Sequence, residues 1–198
     1  EGGMVVTRHS DLVKRMKIMR LHGIDRDAFD RFQSKKPAWY YEIIAPGFKY
    51  NMADINAALG IHQLKKINNF LKIRKQYAAM YDEAFSQIPE LEILEKRDYA
   101  EPSYHLYIIA LRLEHLTITR DQFVDKIQSA GVGVAIHYQA LHLQPLYKKK
   151  FNTRLDDYPV ATSYSARILS LPLYPRMSVQ DIERVSNVVA DIISCNRR

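Results

Sequence analysis

A lysine and an asparagine precede a predicted helix in a segment that could bind an anion. The segment begins at Gly47 and includes Lys49, Asn51 and Asp54, and helical spacing of apolar residues continues to Leu64. Asn51 followed three residues later by Asp54 is typical of a capped helix start. The free N–H groups and the dipole of a helix start favour negative charge, and a neighbouring lysine strengthens the effect. The segment therefore predicts either an anion site or an ordinary capped turn at the surface.

Two histidines five residues apart form the second candidate. Residues 132–138 are rich in β-branched side chains and predict a strand that runs into His137, with His142 in the following loop. Histidine can donate a hydrogen bond to phosphate or sugar oxygens, or transfer protons near neutral pH. The same pair could equally be two polar loop residues without a ligand. No metal site is expected, because the single cysteine, Cys195, leaves no suitable ligand spacing.

Hydrophobic periodicity predicts the elements that position these residues. Helices are predicted over residues 10–23, 51–64, 70–88, 119–131, 158–169 and 178–192. The predicted caps are Ser10, Asn51, Thr119 with Gln122, and Ser178. Strands are predicted over residues 91–94, 104–113, 132–138 and 171–174, and the apolar run 4–7 could close a sheet. This order predicts an α/β sandwich in which helices cover a small, mostly antiparallel sheet.

The sequence also contains a long irregular segment and a lone histidine at the start of a predicted strand. Residues 25–46 show no sustained period and contain four aromatic residues, so they predict a long functional loop. The aromatic residues are Phe32, Trp39, Tyr40 and Tyr41. His105 opens the predicted strand 104–113 and is interpreted as a structural histidine.

The composition excludes several classes of function. The chain has 198 residues, of which 47% are hydrophobic and 26% charged, as in an ordinary soluble globular protein. No apolar run approaches the roughly 18 residues that cross a bilayer, and no secretory signal is visible, so we expect a cytoplasmic protein without a membrane partner. A net charge of +7 is also found in proteins that bind nucleic acid. Basic and acidic residues are interleaved along amphipathic helices, however, which is typical of a solvated face, so no nucleic-acid partner is expected.

Six stretches, in this order and spacing, resemble the DegT-type family of nucleotide-sugar aminotransferases. The stretches are residues 1–7, 20–24, 46–64, 105–107, 131–142 and 170–175. The resemblance implies the fold of the aspartate-aminotransferase superfamily (fold type I of the pyridoxal-phosphate enzymes), in which a large cofactor domain is followed by a small C-terminal domain. Residues 1–66 would then be the tail of the large domain with an active-site loop, and residues 67–198 the small domain.

The resemblance also implies a reaction. It is the transfer of an amino group, from glutamate, to a keto group of a nucleotide-linked sugar, for amino-sugar or surface-polysaccharide synthesis. Two subunits usually build each active site, so a homodimer, or pairing with a missing N-terminal half, is expected.

The catalytic residue of the family has no counterpart in this chain. The family carries its Schiff-base lysine a few residues before the Glu-Gly-Gly that stands here at position 1. The resemblance therefore assigns no catalytic residue to this chain, and predicts that the chain alone is truncated, inactive and unable to hold pyridoxal phosphate. The alternative is a catalytically inactive remnant that serves as an interaction module.

Only binding roles carry over to individual residues. Lys49 and Asn51 correspond to a segment that reaches the partner subunit's cofactor phosphate, although many family members have Asn and Arg at these two positions. The positions that correspond to the substrate side are His137, Tyr138, His142 and Tyr40, the last together with Trp39 and Tyr41 in a loop near the substrate entrance.

Overall fold

The computed structural model describes residues 2–25, 37 and 39–198. Glu1, residues 26–36 and Ala38 lie outside the described residues, and with them Phe32 and much of the predicted loop 25–46. The chain divides into two compact units, Glu1–Lys66 and Ile67–Arg198. The division falls at the residue where the sequence analysis separates two domains. The assignment of the first unit to a large cofactor domain stays a prediction.

The first unit contains two helices in its described part, α1 (Ser10–Met19) and α2 (Asp54–Leu64), and neither helix has a buried residue. Two predicted caps are wrong here. The N-cap residues are His9 and Ala53, and neither provides a side-chain hydrogen bond. Ser10 already belongs to the first helical turn, and the side chain of Asn51 is engaged by Lys49 instead. Residues 4–7 form no strand, because no described segment pairs with them.

The second unit contains the sheet. In chain order its elements are α3 (Ile67–Phe85), β1 (Leu91–Ile93), β2 (Tyr107–Leu111), α4 (Arg120–Ser129), α5 (Pro145–Phe151), α6 (Pro159–Arg167), β3 (Ile168–Leu171) and α7 (Val179–Ser194). The strands lie in the order β1-β2-β3, and both pairings are antiparallel. Leu91 pairs with Leu111, and Tyr107 pairs with Leu171. The predicted α/β fold with a small antiparallel sheet is confirmed.

The core of this unit lies between the sheet and three helices. Helix α7 packs against α3 and α4. The largest fully buried side chains include Tyr81, Phe85, Ile109, Phe123, Ile127, Leu169 and Val189. Each such side chain contributes roughly 1.5–3 kcal/mol through burial. The burial of these apolar side chains is therefore the main source of stability.

Strong local signals in the sequence correspond to real helix starts in this unit. The predicted capping box of Thr119 with Gln122 is present. Ser178 caps α7 as predicted, and the structure shows that it forms a capping box with Asp181. Among the described residues, no helix has the length and apolar character to span a membrane.

Three strand predictions in this unit need correction. The last strand, β3, occupies Ile168–Leu171 and not residues 171–174, and the helix predicted over 158–169 ends at Arg167. Residues 132–138 are not a strand, because the segment meets the edge of β3 at one residue, where Ala135 and Ser170 form an isolated bridge. His105 is not on a strand either. The backbone turns at Tyr104, which has φ +48°, and β2 begins only at Tyr107.

Candidate functional site

The segment that carries Lys49 is fixed to the end of α1 by backbone hydrogen bonds. Phe48 N donates to Met19 O at 2.7 Å, and its carbonyl accepts from His22 N at 2.8 Å. Tyr50 N donates to Arg20 O at 2.8 Å, and Leu21 and Lys49 form an antiparallel bridge. Because both sides of Lys49 are tied to this turn, its backbone position does not depend on its own side chain.

Two glycines make this close approach possible. Gly23 has φ +75°, which L-residues with side chains rarely adopt, and a Cβ at this position would overlap the carbonyl oxygen of Ala45. A Cβ on Gly47 would overlap the backbone of Gly23. Both glycines lie in stretches that carry the family resemblance, but the sequence analysis assigned them no role. The sequence shows only two short glycine-containing stretches about 25 residues apart. The need for glycine at both positions becomes clear once the backbone contact between them is known.

Lys49 and Asn51 are brought together, as the anion-site hypothesis requires. The Lys49 ammonium donates a hydrogen bond to Asn51 Oδ1. Lys49 is exposed and Asn51 half-buried. Helix α2 begins three residues after Asn51, and no side chain caps its first N–H groups. Asp54 places a negative charge in the same first turn, so the positive charge of this segment comes from Lys49.

Tyr40 lies in the described part of the long loop. Its hydroxyl donates to Glu42 Oε1 at 2.8 Å, and its ring meets that of Trp39 edge-on at 5.9 Å. The backbone N–H of Glu42 donates to Asp25 Oδ1 at 2.9 Å. An exposed indole beside a positioned tyrosine can stack on a ring or bond to a hydroxyl.

The loop that carries the two histidines is attached to β3 and α6. Ala135 and Ser170 exchange backbone hydrogen bonds of 3.2 and 2.8 Å, and Ala140 N donates to Ser165 Oγ at 3.0 Å. Between these anchors the side chain of Tyr138 is 94% exposed. The loop is therefore held at both ends while its middle presents side chains to solvent.

His137 and His142 have different surroundings. His137 is half-buried, and its Nε2 is hydrogen-bonded to Ser170 Oγ. His142 is only 8% exposed, its Nε2 lies 2.9 Å from Thr162 Oγ1, and its ring packs at 5.0 Å against that of Tyr158. Its contacts favour an anchoring role for His142, whereas part of the His137 ring remains open.

Three hydroxyl residues that hold this loop were missed by sequence reasoning: Thr162, Ser165 and Ser170. Thr162 and Ser165 lie on α6, which is itself fastened to β1. Arg167 Nη1 donates to Glu92 Oε2 at 2.7 Å, and the hydroxyl of Tyr164 donates to the same carboxylate. These bonds, first that of Tyr164 and then that of Arg167, hold the pKa of Glu92 below its ordinary value. Small hydroxyl residues on a helix give no pattern that singles them out.

The fold of the chain is that of part of the sugar aminotransferases of the pyridoxal-phosphate type, as two solved structures show. The sugar aminotransferase PseC of Helicobacter pylori, described as acting in pseudoaminic acid biosynthesis, is similar with a TM-score of 0.79 and 25% identity over 96% of this chain and 48% of its own. The pyridoxal-phosphate form of Spr1654 from Streptococcus pneumoniae, assigned as a sugar aminotransferase, has a TM-score of 0.81 and 26% identity over 98% of this chain and 46% of its own.

The chain belongs to the DegT/DnrJ/EryC1/StrS aminotransferase family, whose family model matches residues 1–190. It is 37% identical to the spore coat polysaccharide biosynthesis protein SpsC of Bacillus subtilis, over 98% of this chain and 50% of SpsC. It is 41% identical to the uncharacterized protein MJ1066 of Methanocaldococcus jannaschii, over the whole chain and 51% of that protein. The chain thus spans about half the length of the curated relatives it matches.

Proposed function

We propose that this chain is the C-terminal part of a pyridoxal-phosphate-dependent aminotransferase that transfers an amino group, from glutamate, to a keto group of a nucleotide-linked sugar. The observation that carries the proposal is the fixed segment with Lys49 and Asn51, which matches the family's phosphate-binding position. SpsC and PseC are named for polysaccharide and pseudoaminic acid biosynthesis. Their names support a role in making amino sugars for surface polysaccharides, and we propose that the protein acts in the cytoplasm.

The residues of this segment fit the phosphate end of the cofactor. Pyridoxal phosphate, when bound, supplies the electron sink that amino-group transfer needs. Lys49 offers a cation and Asn51 an amide, and the first N–H groups of α2 have no side-chain cap. A charge-assisted hydrogen bond from Lys49 would be the strongest of these contacts. In the proposed dimer, the two residues of one subunit bind the phosphate in the partner subunit.

The lysine that attaches the cofactor covalently is proposed to come from the half of the family's length that this chain does not span. A lysine with that task must lose its charge easily, which requires a desolvated position. All the lysines in the described part of the chain are exposed except Lys75. Lys75 is half-buried and forms an ion pair with Glu101. None of the described lysines is fully buried, so we propose that a large domain, in the same polypeptide or in a second one, completes the site.

The substrate side is proposed to be built from His137 and Tyr138, with Tyr40 at the entrance. The anchored loop offers His137 and Tyr138 at a fixed place without covering them. We propose that His142 acts indirectly, by holding this loop through Thr162 and Tyr158.

A chimera tests the proposal. The half of SpsC that this chain does not match is joined to this chain, and glutamate and a panel of nucleoside-diphosphate keto-sugars are supplied. We expect bound cofactor, visible by its absorbance, and transfer of the amino group to at least one keto-sugar. A chimera that binds the cofactor and reacts with glutamate, yet aminates no nucleotide-linked keto-sugar, would contradict the proposed substrate class.

The alternative is a non-enzymatic interaction module. It is favoured by the large apolar side chains that α2 leaves exposed, among them Ile55 and Leu59. This function would be indicated by a chimera that folds but binds no cofactor, together with stable pairing of the chain with another protein.

A further inference from the structure

We infer that Ser170 is a positioning residue that fixes the His137 ring with its proton on Nδ1, so that His137 offers a hydrogen-bond donor to its ligand. The contact that matters joins Ser170 Oγ, on β3, to His137 Nε2. The proposed role of His137 toward a nucleotide-linked sugar rests on the proposed function. The position of the proton on the His137 ring is inferred from hydrogen bonds alone and does not depend on that function.

Ser170 is held too firmly to adapt to the histidine. It is 3% exposed and pairs through its backbone with β2 on one side, at Ile108, and with Ala135 on the other. Its side chain therefore leaves the sheet in a set direction. Within the described part of the chain, His137 is the hydrogen-bond partner of its hydroxyl.

The number of available partners decides which way this hydrogen bond runs. A serine hydroxyl has one hydrogen to donate, and a buried hydroxyl hydrogen without an acceptor is costly. If His137 Nε2 carried the ring proton and donated it, the Ser170 hydrogen would be left without an acceptor among the described residues. If Ser170 donates to an unprotonated Nε2, both groups are satisfied. The neutral ring then carries its proton on Nδ1.

His142 provides the opposite case in the same loop. Thr162 Oγ1 already donates its hydrogen to Leu155 O at 2.8 Å. It can only accept from His142 Nε2, which lies 2.9 Å away. His142 therefore carries its proton on Nε2, and the two histidines of one loop are predicted to be opposite tautomers.

The tautomer of His137 limits what the residue can do. Among the described residues, Nδ1 has no hydrogen-bond partner. A protonated Nδ1 donates, so the ligand atom that meets it is an acceptor, such as a phosphoryl or hydroxyl oxygen. The neutral ring cannot take a proton from the substrate while Nε2 is occupied by Ser170. We therefore assign His137 to binding and orientation of the substrate.

The test is an NMR measurement on the chain itself. The chain is labelled with ¹⁵N-histidine, and long-range ¹H–¹⁵N correlation spectra at a pH where the rings are neutral distinguish the two tautomers. Spectra of the His137→Gln and His142→Gln variants assign the two signals. We expect the Nδ1–H form for His137 and the Nε2–H form for His142, each in roughly tenfold excess because the other form leaves a buried group unpaired.

Three variants separate positioning from a merely structural effect. Ser170→Ala should return His137 to the Nε2–H form that free histidine prefers in water, while His142 keeps its pattern. Ser170→Thr keeps a hydroxyl and should preserve the Nδ1–H form. Ser186→Ala removes another buried serine hydroxyl, bonded at 2.9 Å to Ile182 O, and should leave both histidines unchanged. A His137 signal in the Nε2–H form in the unsubstituted chain, or one that Ser170→Ala does not alter, overturns the inference.

A second NMR measurement, on the ¹⁵N-histidine-labelled SpsC chimera, keeps the two proposals apart. The His137 signals are followed as uridine diphosphate glucose is added to the SpsC chimera. The ring state before addition tests the positioning role of Ser170. If the predicted tautomer is present but the nucleotide sugar moves no signal of His137, the positioning role stands and the proposed substrate contact fails.

Discussion

At the scale of single residues, the two histidines of one loop should respond differently to substitution. His137 is partly open, and its proposed contact is with the nucleotide-linked sugar. In the SpsC chimera, His137→Ala is therefore expected to slow the keto-sugar half-reaction at least tenfold, about 1.4 kcal/mol of lost interaction. The glutamate half-reaction makes no use of the nucleotide and should be almost unchanged. Single-turnover rates of the two half-reactions check this.

His142→Ala serves as the comparison, because His142 is buried and holds the loop. Its loss should lower the free energy of unfolding by about 1–3 kcal/mol, and both half-reactions should fall together with stability. The family resemblance assigned both histidines to the substrate, since the sequence contains no sign of which one is buried. Equal losses of both half-reactions in His137→Ala, at unchanged stability, would retire its substrate role.

Lys49 gives a second prediction at this scale. A charge-assisted contact to a phosphate is worth roughly 1.5–3 kcal/mol. Lys49→Ala in the chimera should therefore weaken retention of pyridoxal phosphate about ten- to hundredfold, measured by equilibrium dialysis. Lys66→Ala, at an exposed lysine in the turn before α3, is the matched control and should have no effect. Unchanged affinity in Lys49→Ala would make Lys49 an ordinary surface lysine.

At the scale of elements, the sequence predicted what local chemistry determines. The capping box of Thr119 with Gln122, the cap Ser178 and the apolar face of α7 each need only residues within one helix, and all three were predicted correctly. The strand prediction for residues 132–138 failed because pairing depends on a partner, and β3 offers this segment one residue. Ser10 and Asn51 failed as caps because a cap side chain has competing partners that sequence spacing does not show.

In the candidate site, too, local features could be predicted from the sequence and contacts between distant segments could not. The sequence proposes Lys49 and His137 as site residues through their residue types and the family resemblance. It could not identify Ser170, because nothing in a strand of four residues shows that its hydroxyl points at a histidine 33 positions earlier. Contacts between segments that are distant in the chain could not be predicted from the sequence.

The glycine contact behind Lys49 gives a prediction at this scale. Gly23→Ala forces a side chain into the left-handed region, at about 1–2 kcal/mol, and into the Ala45 carbonyl. We expect lower thermal stability and faster proteolysis near residues 42–50. Gly60→Ala is the control, since no atom lies within 4 Å of its Cβ position. It lies inside α2 and should stabilise that helix by up to about 1 kcal/mol. If Gly23→Ala and Gly60→Ala had the same thermal stability and the same rate of proteolysis, the contact would not be needed to hold the Lys49 segment.

At the scale of the whole molecule, the apolar surface of the first unit predicts association. In α2 the exposed large apolar residues are Ile55, Leu59, Ile61 and Leu64. A contiguous apolar patch of more than a few hundred Å² usually binds a partner. We expect the chain to self-associate in sedimentation velocity experiments, with a fraction that rises with concentration. Leu59→Glu should reduce it, whereas Leu94→Glu, at an exposed leucine of the second unit, should not. A sharp monomer over a wide concentration range would contradict this.

A charged contact ties the C-terminal end of the second unit to the residue that precedes β1. Glu90 precedes β1 and is buried, and Arg197 is the penultimate residue. Arg197 donates to the Glu90 carboxylate from Nε at 2.5 Å and from Nη2 at 3.2 Å. Burial alone would raise the pKa of Glu90, but the hydrogen bonds and the charge of Arg197 outweigh it and hold the pKa below its ordinary value of 4.5.

The lowered pKa of Glu90 predicts how stability depends on pH. Between the folded pKa and 4.5 the unfolded chain binds a proton that the folded chain does not, so the contribution is complete above 4.5 and disappears as the pH falls through the folded pKa. Glu90→Gln should cost about 1–3 kcal/mol at neutral pH in urea denaturation, and its deficit should shrink on acidification because the unsubstituted chain then loses the same charge. Glu114→Gln, at an exposed glutamate, should show neither effect. A deficit of Glu90→Gln that stays constant from neutral pH to about pH 3 would mean that packing, and not the charge of Glu90, holds the C-terminal end in place.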